Sequence, residues 1–237
     1  MDNVFDRMFY QTGELIGGVD KAGGSDIAGP LTAACVVLPK FEVHRDDLSI
    51  FNITASKDTP ERFRKASVET VWQTALAIGI GEASPAEVDY FGKQVATSVA
   101  MFRAFRACRS TSTKKMVTPD FLLVDSVRCF ETTVANKTEQ GLDQKSLCVA
   151  AASLVAKVYR DDIMMKLHQE YPYYGCDRNK GYPCDQHYEG LDHHGVVVGI
   201  HRIKSWPFVK DHTGDDQFVG RRYRWKTTTE KKIMEVT

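Results

Sequence analysis

The sequence predicts an α/β fold, with a sheet layered against helices. Three observations carry this expectation. Short apolar runs of strand length alternate with longer segments of helical period, two of those runs end in an aspartate, and Gly, Pro and small polar residues punctuate the boundaries.

The first strand is expected at Leu15-Ile16-Gly17-Gly18-Val19-Asp20, before a small-residue loop from Ala22 to Asp26. A second run, Leu31 to Leu38, is rich in Ala and Val and bounded by Pro30 and Pro39, so the two read as neighbouring strands. Thr59-Pro60-Glu61 reads as a helix start, with a capping hydroxyl, Pro at the first helical position and an acid near the positive helix end. That helix is expected to reach about Thr74, and Ala77 to Glu82 reads as another strand. Ser84-Pro85-Ala86-Glu87 is a capping box. Val88, Phe91, Val95, Val99, Phe102 and Phe105 then recur at helical steps, which predicts one amphipathic helix ending near Cys108. Arg109 to Lys115 is polar and expected as a loop, and Phe121-Leu122-Leu123-Val124-Asp125 is a compact buried strand. Leu147 to about Glu170 is the longest helix pattern, closed by Tyr171-Pro172. From Tyr173 to Lys210 the chain is rich in Gly, Pro, His and aromatic residues and reads as mostly loop.

A chain of 237 residues suits one domain with at most a small appendage, and it can bury a real core. With 43% hydrophobic and 26% charged residues, it is neither disordered nor collagen-like. No apolar run is long enough for a membrane span. Met1 to Asp6 lacks a basic region followed by an apolar run, so no secretory signal is expected and the setting is expected to be intracellular. Lys and Arg total 31 against 31 Asp and Glu, which neither indicates nor excludes a nucleic-acid partner, because a phosphate chain reads the distribution of charge. The cysteines (Cys35, Cys108, Cys129, Cys148, Cys176 and Cys184) form no C-x-x-C pair, so reduced thiols are expected and a zinc site is not.

Asp20 and Asp125 each close an apolar strand, at the sheet edge where open α/β folds bind ligands. Two carboxylates converging there would suit a hard cation, typically magnesium. The plain alternative is a strand-end Asp that caps the next loop. The long helix adds Asp161 and Asp162, and helical periodicity does not choose between them.

Read together, these residues resemble the type 2 ribonucleases H, and bacterial ribonuclease HII most of all. Gly18-Val19-Asp20-Lys21-Ala22-Gly23 with Ala28-Gly29-Pro30 is similar to the family's opening motif. Ser56-Lys57, Leu123-Val124-Asp125 and the run Ala150 to Asp161 resemble its next three motifs. Tyr171-Pro172, Tyr174-Gly175, Lys180-Gly181-Tyr182-Pro183, His187 and His201-Arg202 resemble its C-terminal block in order and spacing. The resemblance covers roughly residues 15–210, leaving 1–14 as an N-terminal extension and 211–237 as a tail in which Arg221, Arg222, Arg224 and Lys226 interleave with Tyr223 and Trp225.

The resemblance implies a ribonuclease H-like fold, a mixed five-stranded sheet flanked by helices with a helical C-terminal part. It also implies cleavage of the RNA strand in RNA–DNA hybrids, or at ribonucleotides within duplex DNA, by four carboxylates and two ions of Mg2+ or Mn2+. Asp20, Asp125 and Asp161 match three of the four acids, which also selects Asp161 over Asp162. The fourth position, Glu in the family, is Lys21 here, so it exchanges a negative for a positive charge and the second ion becomes doubtful. Its ammonium would either take a metal's place or turn outward. Asp26 and Asp58 are the nearest replacement carboxylates in sequence.

The family's glycine-arginine-glycine loop matches Gly23-Gly24-Ser25, so the arginine position is Gly24, and Asp26 would present the wrong sign to phosphates. Tyr182 matches the tyrosine that stacks beside the ribonucleotide. Lys57, Lys157, Lys180 and Arg202 are candidate phosphate contacts. Two functions follow: an impaired metal-dependent endonuclease, or an inactive protein of the same fold that binds hybrid, duplex or a protein partner.

Overall fold

The computed structural model describes residues 4–10, 15–40 and 53–204. The basic tail 211–237 lies outside the described residues, as do parts of the N-terminal extension. Among the described residues the strands are β1 (Ile16–Ala22), β2 (Leu31–Val37), β3 (Ala77–Ala83), β4 (Arg109–Ser110), β5 (Phe121–Asp125) and β6 (Ala135–Glu139). The helices are α1 (Val4–Arg7), α2 (Glu61–Thr74), α3 (Pro85–Phe91), α4 (Lys93–Arg106), α5 (Leu147–Glu170), α6 (Cys176–Asn179) and α7 (Asp185–His194). No helix among them is long and apolar enough to cross a membrane. All six cysteines are free thiols.

The expected α/β class holds, and the differences have local causes. The single helix expected from Ser84 to Cys108 is two. The capping box forms, with Ser84 Oγ accepting from Glu87 N–H, but Gly92 at φ 78° ends α3 and α4 restarts at Lys93. Thr59 does not cap α2, because its hydroxyl is engaged with Thr54 and Ala55. Among the described residues the sheet has six strands rather than five: two-residue β4 forms at the start of the expected loop, and β6 is an edge strand of sequence Ala-Asn-Lys-Thr-Glu. With no apolar face, β6 carries none of the alternation that marks a half-buried strand.

The chain divides into two compact units, one of Met1–Ala22, Leu31–Ala83 and Thr97–Arg160, the other of Gly23–Pro30, Ser84–Ala96 and Asp161–Thr237. The first holds the sheet, in the order β4-β3-β2-β1-β5-β6, with β1 antiparallel to β2 and parallel to β5. Side chains alternate between faces along each strand. On one face Ala34, Val36 and Ile78 join Val68 and Val71 of α2 and Leu154 and Val155 of α5 in one apolar cluster. On the opposite face α4 lies close over Gly79 and Gly81, where a Cβ would come within 2.1 Å of Ala104 O and 2.3 Å of Ala104 N. Gly18 allows the same approach by α5, since a Cβ there would lie 2.1 Å from the Cys148 carbonyl carbon. Asp6, buried within α1, accepts a 3.1 Å hydrogen bond from Cys148 N–H, placing a carboxyl at the amino end of α5.

The second unit has its own core of Ile27, Ala28, Met164, Tyr174, Cys176, Leu191, Val196 and Ile200. Inside it His187 and His201 face each other, Nε2 to Nε2 at 3.2 Å. The Val197 N–H donates to His201 Nδ1 at 3.0 Å, so His201 carries its proton on Nε2 and donates to His187. Both rings are therefore neutral. Burial pushes their pKa values down, to about 4 for His187 and about 3 for His201.

Two outcomes follow from this packing. Gly18→Ala forces backbone apart rather than a flexible side chain, so it should cost at least about 3 kcal/mol in urea unfolding. A cost under about 1 kcal/mol would show that α5 does not rest on Gly18. The histidines bind protons in the unfolded chain from about pH 6.5 but resist them when folded. Their stabilisation is therefore complete above about pH 6.5 and declines as pH falls towards their folded values, by up to about 1.4 kcal/mol per pH unit for each. In an NMR titration both imidazoles should stay neutral to about pH 4, while amide exchange across residues 174–201, corrected for intrinsic rates, accelerates below pH 6.5. Either ring titrating near 6.5 would contradict the buried neutral pair.

Candidate active site

The register of β1 on β5 builds the acidic centre of the first unit. Val19 pairs with Val124 in the parallel ladder, so the next residues on each strand, Asp20 and Asp125, emerge side by side. Both are buried, at 5% and 8% exposure. Asp20 Oδ1 accepts from the Lys21 N–H at 2.7 Å, and Ser153 of α5 adds a hydrogen bond. Burial, with the neighbouring Asp125 charge, raises the Asp20 carboxyl to about 7 although Lys21 opposes the shift. Burial of this kind disfavours the charged form of a carboxylate, and a nearby cation opposes that.

Lys21 is that cation. Its ammonium lies 3.7 Å from Asp20 Oδ1, 4.0 Å from Asp125 Oδ1 and 3.4 Å from the Asp125 carbonyl oxygen. Of the two dispositions open to Lys21, the structure has the inward one. Among the described residues no three His, Cys, Asp or Glu side chains are grouped to hold a metal ion. Two carboxylates already bridged by an ammonium do not fit a pair of divalent ions.

Asp143 is a site residue that the sequence reading missed. It sits in the 3-10 turn Leu142–Gln144, buried at 5% exposure, and its N–H donates to Asp125 Oδ2 at 3.1 Å. Its carboxylate accepts from Lys57, with contacts of 3.0 and 3.2 Å to Nζ. Lys57, expected as a phosphate contact, is thus ion-paired, although its side chain remains 55% exposed. The nearest sequence signal was Gly141, whose φ of 81° opens the turn. The replacement carboxylates considered from sequence lie elsewhere: Asp58 is exposed in the turn before α2, and Asp26 is buried in the second unit. Lys157 is half-buried on α5. Asp161 follows Arg160 on α5 and belongs to the second unit, half-buried where Asp162 is exposed.

In the second unit the loop 23–30 is tightly held. Arg202, 2% exposed, donates from Nε and Nη2 to Gly29 O at 3.0 and 2.9 Å and from Nη1 to Gly23 O at 2.6 Å. Instead of lining a phosphate path, as its charge suggested, it fixes the loop from within. Gly181 O accepts from Ile27 N–H and Ala28 N–H at 2.9 and 3.3 Å, and a Cβ on Gly181 would meet Ala28 O at 2.6 Å. The next residue, Tyr182, is 54% exposed. Lys180, at φ 50°, turns back on its own segment, donating to Asp177 O and lying 3.5 Å from Met165 Sδ. Asp26 is buried, so it does not present its charge to a ligand over the loop. Gly23, at φ 87°, and Gly24 are half-buried, and Ser25 is exposed.

Comparison with known proteins agrees with this architecture. The family model for ribonuclease HII matches residues 17–207. The ribonuclease HII of Clostridioides difficile strain 630 is 36% identical over 201 residues, covering 84% of this chain and 73% of that protein. The crystal structure of the ribonuclease H2 from Pyrococcus horikoshii OT3 shares the fold, with TM-score 0.67 and 23% identity over 83% of this chain and 96% of that one. A ribonuclease HIII crystallised in complex with Mn2+ does so with TM-score 0.58 and 12% identity, over 86% of this chain and 73% of that one. By the extent of the family match and the identity to its curated members, this chain belongs to the ribonuclease HII family.

Proposed function

We propose that this chain engages RNA–DNA hybrids, or ribonucleotides within duplex DNA, and that its metal-dependent endonuclease action on the RNA strand is strongly impaired. One observation carries the impairment: the Lys21 ammonium rests on both Asp20 and Asp125. A divalent ion there would have to displace it or share two carboxylates with it. Family membership supports the substrate class, and the Mn2+ complex of the ribonuclease HIII neighbour supports Mg2+ or Mn2+ as the cofactor class. Asp20 and Asp125 are the side chains we assign to hold such an ion, with low affinity while Lys21 is present. Tyr182 and the loop Gly23-Gly24-Ser25 are assigned to the nucleic acid.

The same observation favours a second reading, in which the protein binds hybrid without cutting it. One assay separates the two, using a duplex with a single ribonucleotide and a uniform hybrid, each with Mg2+ and with Mn2+. Lys21→Glu restores a carboxylate and removes the bridging cation, so it should raise cleavage at least tenfold, about 1.4 kcal/mol in barrier. If the unmodified protein cuts rapidly and Lys21→Glu adds nothing, the impairment is refuted. If both proteins bind hybrid and neither cuts, the second reading stands.

A further inference from the structure

Gly24 leaves an open place over the loop after β1, and the structure fills it with a lysine from elsewhere in the chain. A Cβ at position 24 would lie 3.3 Å from Lys93 Cε and 3.7 Å from Lys93 Nζ. The ammonium therefore occupies the volume that a side chain on Gly24 would enter. It also lies 3.5 Å from Ser25 Oγ. Lys93 is the first residue of α4, in the second unit with the loop, and it is exposed. It is brought there by the break at Gly92, without which α3 and α4 would continue as one helix.

We propose that Lys93 is a nucleic-acid-binding residue, supplying with the Ser25 hydroxyl and the backbone of Gly23 and Gly24 a contact to one backbone phosphate. The proposal rests on the hybrid-binding reading above and adds the residue that carries the charge. Three features make this a phosphate contact rather than a solvated lysine. The surface beneath the ammonium is glycine backbone, which lets a phosphate oxygen approach. A hydroxyl donor stands beside the cation. The loop cannot shift away, because Arg202 and Gly181 O hold it at Gly23, Ile27, Ala28 and Gly29.

The test is equilibrium binding of the full chain to a labelled RNA–DNA hybrid, measured by fluorescence anisotropy in EDTA over a range of salt. One phosphate contact contributes close to one unit to the slope of log Kd against log salt. Lys93→Ala should lower that slope by about one and weaken binding roughly tenfold near 0.1 M salt. Lys93→Arg should keep the affinity. Gly24 is outside the left-handed region, so an arginine is sterically admissible there once the lysine is truncated. Lys93→Ala with Gly24→Arg should therefore regain affinity and slope. Lys115→Ala, an exposed lysine after β4, should change neither. Wild-type affinity and slope in Lys93→Ala would overturn the proposal, as would an equal loss in Lys115→Ala. An unmodified protein that binds no hybrid would overturn the hybrid-binding reading and this inference with it, which distinguishes the two failures.

Discussion

The pairing of β1 with β5 is the constraint on which the acidic centre depends. A parallel register that sets Val19 against Val124 leaves no freedom for the next residues, and two buried carboxylates must stand side by side. Adjacent carboxylates in a low-dielectric setting need a counter-charge or must take up a proton. The family resemblance implies metal ions in that role, whereas here the next residue on β1 reaches back and provides the charge itself. At separations near 4 Å an ammonium and a carboxylate attract by about 4 kcal/mol at an effective dielectric constant near 20, before desolvation is counted. The close approach of α5 over Gly18 completes the arrangement, because it brings Ser153 onto Asp20. A second lysine repeats the logic one step out, where Lys57 neutralises Asp143 and the Asp143 N–H steadies Asp125.

The second unit solves a different problem, how to hold a glycine-rich loop still. Glycine backbone loses more freedom on ordering than any other residue, so such a loop needs many fixed points. Arg202 provides three hydrogen bonds from one buried guanidinium, and the Gly181 carbonyl provides two more. A buried arginine of this kind is tolerable because its donors are engaged by carbonyl oxygens. The neutral His187–His201 pair lies deeper in the same unit and ties α7 to the segment carrying Arg202. The residues that shape the loop are thus buried, and the groups left outward are small, aromatic or, at Lys93, cationic.

Much of this was legible in the sequence, for physical reasons. The strands that carry Asp20 and Asp125 are visible because each apolar run is closed by an acid, although β1 continues past Asp20 to Ala22, and α5 was readable to its last residue from its periodicity and the Tyr171-Pro172 stop. What escaped detection lacked a local pattern. β6 has no apolar face to announce it. Gly92 is one residue inside a helical period that continues across it. Asp143 matters only because the chain folds a short turn beside Asp125. Arg202 looked like a surface charge, because sequence records its sign but not the carbonyl groups that surround it. The direction of Lys21 was likewise undecidable, since an outward and an inward lysine are spelled the same.

The two departures from the family pattern are linked by charge. At the acidic centre a lysine stands where a carboxylate is expected, which on the proposed reading lowers the demand for a divalent ion and with it the capacity to cut. At the loop the expected arginine is absent, but Lys93 restores a positive group within a few ångströms of the same place. The first change acts where bond cleavage would need metal, the second where only attachment is needed. On the proposed reading, a chain that had lost its tie to nucleic acid along with its metal centre would have no reason to keep a cation over a pinned glycine loop. On that reading the cation above Gly24 serves attachment alone, and the buried arginine beneath it holds the loop in the shape that attachment needs.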